Sequence, residues 1–100
     1  MAFVWDPKKD AENVREHHMH LIDAEPVFHD PFRMIRRDAD SSVIEERYQT
    51  MGMAGKVLFV VYTEEGDDDT RIISARVADP KERRIYYGGN DQYGWERTYL

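Results

Sequence analysis

Val57-Leu58-Phe59-Val60-Val61-Tyr62 is an unbroken apolar run of strand-forming residues, and its reading decides the fold. Apolar on both faces, it predicts a strand at the centre of a sheet. Downstream, an acidic tip over 64–69 turns the chain into a second strand, Thr70 to Val77. Upstream, Gly52 and Gly55 bracket a hairpin turn, and Glu45 to Met51 alternates charge and bulk as a third strand does. Asp38 to Ser42 reads as a polar turn, Phe32 to Arg37 as a further strand, and Asp30-Pro31 as the break before it. Phe3-Val4-Trp5 is a short first strand.

Helix signals sit at both ends. Asp6 followed by Pro7 is a strong start, because Asp caps free amides and Pro fits the first helical position. Ala11, Val14, His18 and Leu21 or Ile22 step by three or four, which predicts a helix ending between His17 and His20. A shorter second helix is expected over about Asp23 to Phe28, where Pro26 is tolerable only in the first turn. Asp79-Pro80 opens a last helix, with Glu82 completing a capping box and Gly88-Gly89 ending it. Residues 90–100 have no clear period, and Tyr93, Trp95 or Tyr99 could dock them. The order β-α-α-β-β-β-β-α predicts an α+β domain: an antiparallel β-sheet with two N-terminal helices and one C-terminal helix, the other sheet face being free to hold a ligand.

Length and composition narrow the class. One hundred residues make one domain. No apolar run approaches a membrane span, and Met1 to Asp6 carries no basic, apolar leader, so a cytoplasmic protein is expected. Without cysteine, thiolate zinc sites and cysteine nucleophiles are excluded. The net charge of −6 argues against a general nucleic-acid binder, but the charge is uneven. The tip at 64–69 holds five carboxylates, whereas 71–89 carries five cations against two anions. Arginine outnumbers lysine ten to four, and the guanidinium fork is the better bidentate phosphate ligand.

Regular alternation would put Ile72, Ser74 and Arg76 on one face of their strand and Arg71, Ile73, Ala75 and Val77 on the other. It would likewise put Glu46, Tyr48 and Thr50 together, with Arg47 and Gln49 opposite. Cleavage of RNA by its own 2′-hydroxyl needs a proton acceptor, help for the leaving 5′-oxygen, and positive donors on the phosphorane. Arginine suits the last task; Glu46, His17 or Tyr48 could move the proton. Lys8 and Lys9, in a first helical turn with free amides, form a possible phosphate site. His17, His18, His20 and His29 cluster without an acidic third ligand at a recognisable spacing, so neither metal nor other cofactor is expected.

In order and spacing, these blocks resemble the BrnT family of bacterial type II toxins. Trp5, Asp6, Lys9, Asn13 and His17 fall on its opening motif. Val27-Phe28 and Asp30-Pro31 fall on the end of its second helix, and Glu46-Arg47 and the apolar strand 57–62 follow. Arg71-Ile72-Ile73-Ser74-Ala75-Arg76 is its most specific block, and Glu82, Arg83, Arg84 and Tyr86 match its last helix. The resemblance covers roughly residues 3–89 and implies a toxin domain over 1–89 followed by a tail over 90–100. It implies a RelE-like fold and a cytoplasmic, metal-independent ribonuclease that halts translation. It also implies a BrnA-like ribbon-helix-helix antitoxin partner, through which the complex binds operator DNA. By the same resemblance Glu46, Arg47, Arg71 and Arg76 are the catalytic candidates, and Lys9, His17, Ser74 and Arg83 the RNA-binding ones. The chain departs from the pattern at His18, where the family usually has glycine, at Pro26, and at Tyr62, which replaces a frequent histidine. Its loop 64–69 is longer and more acidic than usual and would repel RNA, and its tail is extra. A rival expectation is a non-catalytic module of the same fold that binds an antitoxin and cuts nothing.

Overall fold

The computed structural model describes residues 2–38, 45–89 and 93–98. β1 (Ala2–Val4) leads into α1 (Pro7–His17), a 3₁₀ helix (Leu21–His29), β2 (Met34–Arg37), β3 (Tyr48–Ala54), β4 (Lys56–Glu65), β5 (Asp69–Val77), α2 (Pro80–Gly88) and β6 (Glu96–Arg97). The strands form one sheet in the order β1-β5-β4-β3-β2-β6. The apolar run is therefore interior, as its lack of a polar face requires. β1 runs parallel to β5 while the other pairs are antiparallel, so the sheet is mixed rather than antiparallel. No hairpin joins β1 to β5, so no turn dictates their direction.

The helices do not share one face. Leu58, Val60, Tyr62, Ile72 and Ala75 pack on Leu21, Ala24, Val27 and Phe28 of the 3₁₀ helix. On the opposite face Met34, Met51, Val57 and Phe59 pack on Ile85 and Tyr86 of α2 and on Trp95. The expected free face is thus partly covered, and only the remainder can receive a ligand.

Capping chemistry explains the helix boundaries. The Asp6 side chain accepts from the Lys8 amide at 2.9 Å. The Asp79 side chain accepts from the Glu82 amide, and Glu82 accepts from the Asp79 amide, each at 2.8 Å. The second helix begins at Leu21 rather than Asp23. The Leu21 amide is taken by the Asp10 carboxylate at 2.7 Å, and the His20 amide by Asp23 at 3.0 Å. Its 3₁₀ winding accommodates Pro26 inside the element. His18 closes α1 in the left-handed region at φ 58°, where glycine costs least, and it is exposed rather than on the helix's buried stripe.

Three other expectations are corrected. β3 starts at Tyr48, so Glu45, Glu46 and Arg47 precede it. Gly52 lies inside β3 rather than in the turn; only Gly55, at φ 77°, turns the hairpin. A Cβ at Gly52 would sit 2.7 Å from Val27 Cγ1 and 2.9 Å from the Val27 carbonyl, so glycine there is what lets the 3₁₀ helix seat on the sheet. The chain end contributes β6, paired with β2, and a Trp95 that is only 1% exposed. The polar turn expected over 38–42 falls mostly outside the described residues.

Asp30 locks these layers together. Its Oδ2 accepts from the Tyr86 hydroxyl at 2.5 Å and the Met53 amide at 2.7 Å, and its Oδ1 from the Phe32 amide at 2.8 Å. Burial pushes the Asp30 carboxyl up, but these donors and the charge of Arg97 outweigh it and leave it below its ordinary value. Burial and the Asp30 bond push the Tyr86 phenol up, so it stays a donor.

Two stability tests follow from these contacts. Gly52→Ala lowers stability by about 1–3 kcal/mol in urea unfolding, whereas Gly55→Asn, which suits a positive φ and meets open space, costs less than about 1 kcal/mol. Tyr86→Phe costs about 2 kcal/mol at neutral pH, where Asp30 is ionised. A carboxyl lowered in the folded state adds stability that is full above about pH 4 and is lost as pH falls through the folded value. The gap between wild type and Tyr86→Phe therefore narrows in acid; a gap independent of pH down to full protonation would contradict it.

Candidate functional site

A bulge in β5 sets the site. Arg71 pairs with Thr63, Ile72 with Tyr62, Ser74 with Val61, Ala75 with Val60 and Arg76 with Phe59, which leaves Ile73 as the extra residue. Directly paired side chains share a face. Arg71, Ser74 and Arg76 therefore stand together on the α2 side, while Ile72 and Ala75 turn into the opposite core. Strict alternation would have parted Arg71 from Ser74 and Arg76; the bulge re-aims it. The same register extends across the sheet, Val61 pairing with Gln49 and Gln49 with Arg36. Arg36, Gln49, Val61 and Ser74 thus form one row over four strands.

Arg76 is held in a fixed pose. Its Nη1 and Nη2 donate to the two Glu82 carboxylate oxygens at 2.8 Å each, and its guanidinium lies 4.3 Å from the Phe59 ring centroid. The Glu82 hydrogen bonds, against the penalty of burial, raise the Arg76 pKa, so it is permanently charged. Glu82 is also the capping-box residue of α2, which ties the guanidinium to the helix start. Two of five N–H donors are spent on Glu82 and one weakly on the Val77 carbonyl at 3.3 Å, so the Nε edge can still take an anion.

Around Arg71 the field is acidic. Its Nη2 donates to Glu45 Oε2 at 2.8 Å, and its Nε lies 3.5 Å from Glu65 Oε2. Glu45 Oε1 accepts from Arg47 Nε at 3.1 Å. Glu45 therefore bridges Arg47 and Arg71. A shallow cavity of about 390 Å³ opens here, lined by Arg71, Tyr48, Thr63, Gly66 and four glutamates, 45, 46, 64 and 65. Glu45 was missed because strand alternation was counted from a residue that precedes the strand.

Glu46 points elsewhere. It pairs with Arg37 at 3.2 Å and accepts from the Tyr48 hydroxyl at 3.2 Å. Tyr48 pairs with Tyr62 on the 3₁₀-helix side, so the Glu46 side chain is not brought to Arg76. Burial, then the bond to Glu46, pushes the Tyr48 phenol up, which makes it a poor proton acceptor at neutral pH.

α1 lies along β5 through one side chain. Asn13 Nδ2 donates to the Ala75 carbonyl at 2.9 Å, and the Ala75 amide donates to Asn13 Oδ1 at 3.0 Å. Lys9 and His17 lie four residues either side of Asn13, one turn away on the same helical stripe. Lys9 is exposed; His17 is half-buried, its Nε2 3.9 Å from Glu16. Arg83 Nη1 donates to the Ala78 carbonyl at 2.8 Å, at the corner between β5 and α2. The structure thus gathers Arg71, Ser74 and Arg76, adds Arg47 through Glu45, and sets Lys9, His17 and Arg83 on the flanks. Among the described residues, no three His, Asp or Glu side chains are grouped to hold a metal ion, and no helix is long and apolar enough to cross a membrane.

Comparison with known proteins identifies the family and the fold. A family model described as the ribonuclease toxin BrnT of type II toxin-antitoxin systems matches residues 5–82. The 1.1 Å crystal structure of the Brucella abortus ribonuclease toxin BrnT is similar at a TM-score of 0.61 and 20% identity, over 79% of this chain and 97% of that one. No curated protein matches the sequence.

If Glu45 neutralises two guanidiniums at once, Glu45→Gln should unmask more positive charge toward anions, although Glu65 still faces Arg71. Retention on phosphocellulose should then rise, with elution at distinctly higher salt, while Glu46→Gln, which loses only the exposed Arg37 pair, moves elution less. Equal shifts for the two variants would remove the distinction between these carboxylates.

Proposed function

Because the chain belongs to the BrnT family of ribonuclease toxins of type II toxin-antitoxin systems, we propose that it cuts RNA on the face bearing Arg71, Ser74 and Arg76. The observation that carries this reading is the β5 bulge, which puts all three on one side of the sheet. The RNA 2′-oxygen attacks the adjacent phosphorus, the bond to the 5′-oxygen breaks, and a 2′,3′-cyclic phosphate and a 5′-hydroxyl remain. Arg76 stabilises the phosphorane through its Nε edge, with Glu82 holding the fork at the required angle. Ser74 donates to a non-bridging oxygen, and Arg71 and Arg47, oriented by Glu45, supply further charge. His17 takes the 2′-hydroxyl proton and water protonates the departing 5′-oxygen; Glu46, turned toward Arg37 and Tyr48, would have to swing away to serve instead, and His17→Gln and Glu46→Gln distinguish the two. Lys9, His17 and Arg83 flank the strand and guide the RNA backbone. No metal ion takes part.

The finer biology follows the same reading. The domain, RelE-like in architecture, acts in the bacterial cytoplasm and inhibits translation. A BrnA-like ribbon-helix-helix antitoxin silences it, and the complex reaches operator DNA through the antitoxin. Co-expression should yield one complex on gel filtration; two independent peaks would count against that pairing.

A second reading is favoured by one observation: four glutamates surround Arg71, and Arg47, Arg71 and Arg76 are each paired with a carboxylate. On that reading the domain binds an antitoxin and has no turnover. Catalysis decides between them. The purified protein should degrade RNA in EDTA and leave cyclic-phosphate ends; activity lost on chelation and restored by a divalent ion would refute the mechanism. Arg76→Ala should lower the rate roughly a hundredfold and relieve growth arrest, with Arg76→Lys recovering part of it. Breaking this half-exposed pair costs about 1 kcal/mol, so the melting temperature falls by only several degrees. A fully toxic Arg76→Ala would move the site elsewhere.

A further inference from the structure

We propose that Tyr93, Lys81 and Arg36 form a subsite for single-stranded RNA at the β2 end of the row that contains Ser74, an assignment that rests on the ribonuclease reading above. The register makes Arg36 continuous with the reaction face: Arg36, Gln49, Val61 and Ser74 are successive cross-strand neighbours. Arg36 is also held rigidly. Its Nε donates to Gln49 Oε1 at 2.7 Å, its Nη1 to the Tyr93 carbonyl at 3.1 Å, and its guanidinium stacks 4.4 Å from the centroid of the buried Trp95 ring. These neighbours are an amide, a carbonyl and a ring. Arg37, Arg47, Arg71 and Arg76, by contrast, each contact a glutamate. Among the described residues, the charge of Arg36 is therefore the less neutralised one, and it is fixed in space without a carboxylate.

Tyr93 adds the second element. The residue is 49% exposed, and the Lys81 ammonium lies 4.5 Å from its ring centroid. An exposed ring beside cations suits single-stranded nucleic acid, in which a base stacks on the ring and the adjoining phosphates meet the charges. Lys81 precedes Glu82 in the first turn of α2, so the subsite adjoins the Arg76–Glu82 pair. Electrostatics gives the RNA a direction. Past Arg71 the chain meets Glu45, Glu46, Glu64 and Glu65, whereas past Ser74 toward β2 it meets Arg36 and Lys81. Tyr93 lies beyond the family match at 5–82, whereas Arg36 and Lys81 lie within it, so the ring of the subsite is what this chain's own tail supplies.

The test uses a short single-stranded 2′-O-methyl RNA, which lacks the attacking hydroxyl and reports binding alone, beside the unmodified RNA as substrate. Tyr93→Ala should weaken binding about tenfold and raise KM by more than it lowers kcat, and Tyr93→Phe, which keeps the ring, should restore both. Lys81→Gln should reduce the magnitude of the log Kd against log salt slope by about 0.7, the value for one phosphate on a single strand, whereas Tyr93→Ala leaves that slope alone. Tyr93 and Lys81 are both exposed, so the variants should melt with wild type. If wild type cleaves RNA while Tyr93→Ala and Lys81→Gln bind the 2′-O-methyl RNA normally, the subsite is wrong and the ribonuclease reading stands. If wild type cleaves nothing, that reading fails, and the binding assay still decides the subsite. A loss confined to antitoxin binding overturns the assignment and makes this a protein contact.

Discussion

The carboxylate of Asp30 is the contact on which the rest of the arrangement hangs. It ends the 3₁₀ helix, accepts the Met53 amide of β3 and receives the Tyr86 hydroxyl of α2. Arg97 of β6 closes the same junction, donating to the Tyr86 carbonyl at 2.7 Å and to the Phe32 carbonyl at 2.5 Å. Fixing Tyr86 fixes α2; fixing α2 fixes Glu82; and Glu82 sets the angle of Arg76. A buried anion far from the reaction face thus governs the pose of the side chain proposed to stabilise the phosphorane. Its satisfaction by three donors is what makes burial tolerable, since an unpaired carboxylate there would neutralise instead.

Charge is organised by pairing rather than by excess. On an acidic chain, free guanidiniums would find carboxylates in any conformation. Here the pairs are specific: Glu82 with Arg76, Glu45 with both Arg47 and Arg71, Glu46 with Arg37. Partly exposed pairs of this kind add little to stability. Their effect is orientation, since a tethered fork loses less freedom when it meets an anion.

Much of this was legible in the sequence, because short-range rules governed it. The 57–62 run named the interior strand, and Asp6-Pro7 and Asp79 with Glu82 named the helix starts. Features set by distant contacts were not. Gly52 looked like a turn residue because glycine usually is; Val27, twenty-five positions away, made it a strand residue. The bulge at Ile73 leaves no mark in an alternating pattern, so Arg71 was put on the wrong face. β6 is only two residues long, and its signal was the single buried Trp95. Arg71, Ser74 and Arg76 can be named as candidates from the sequence, but their common face depends on the bulge, and the choice between Glu45 and Glu46 on where β3 begins.

The Asn13 side chain takes the place of a missing strand beside Ala75, and β1 pairs in parallel with residues 69–71. Both contacts join segments far apart along the chain, Asn13 and Ala75 being 62 positions apart. During synthesis at roughly 5–20 residues per second, the opening segment waits about 3–13 seconds for its partner to be translated. Until then β1 and the Asn13 amide have no strand to pair with, and the face that carries Arg71, Ser74 and Arg76 is unassembled. The connectivity acts as a timer: this edge of the sheet closes only after β5 has been translated.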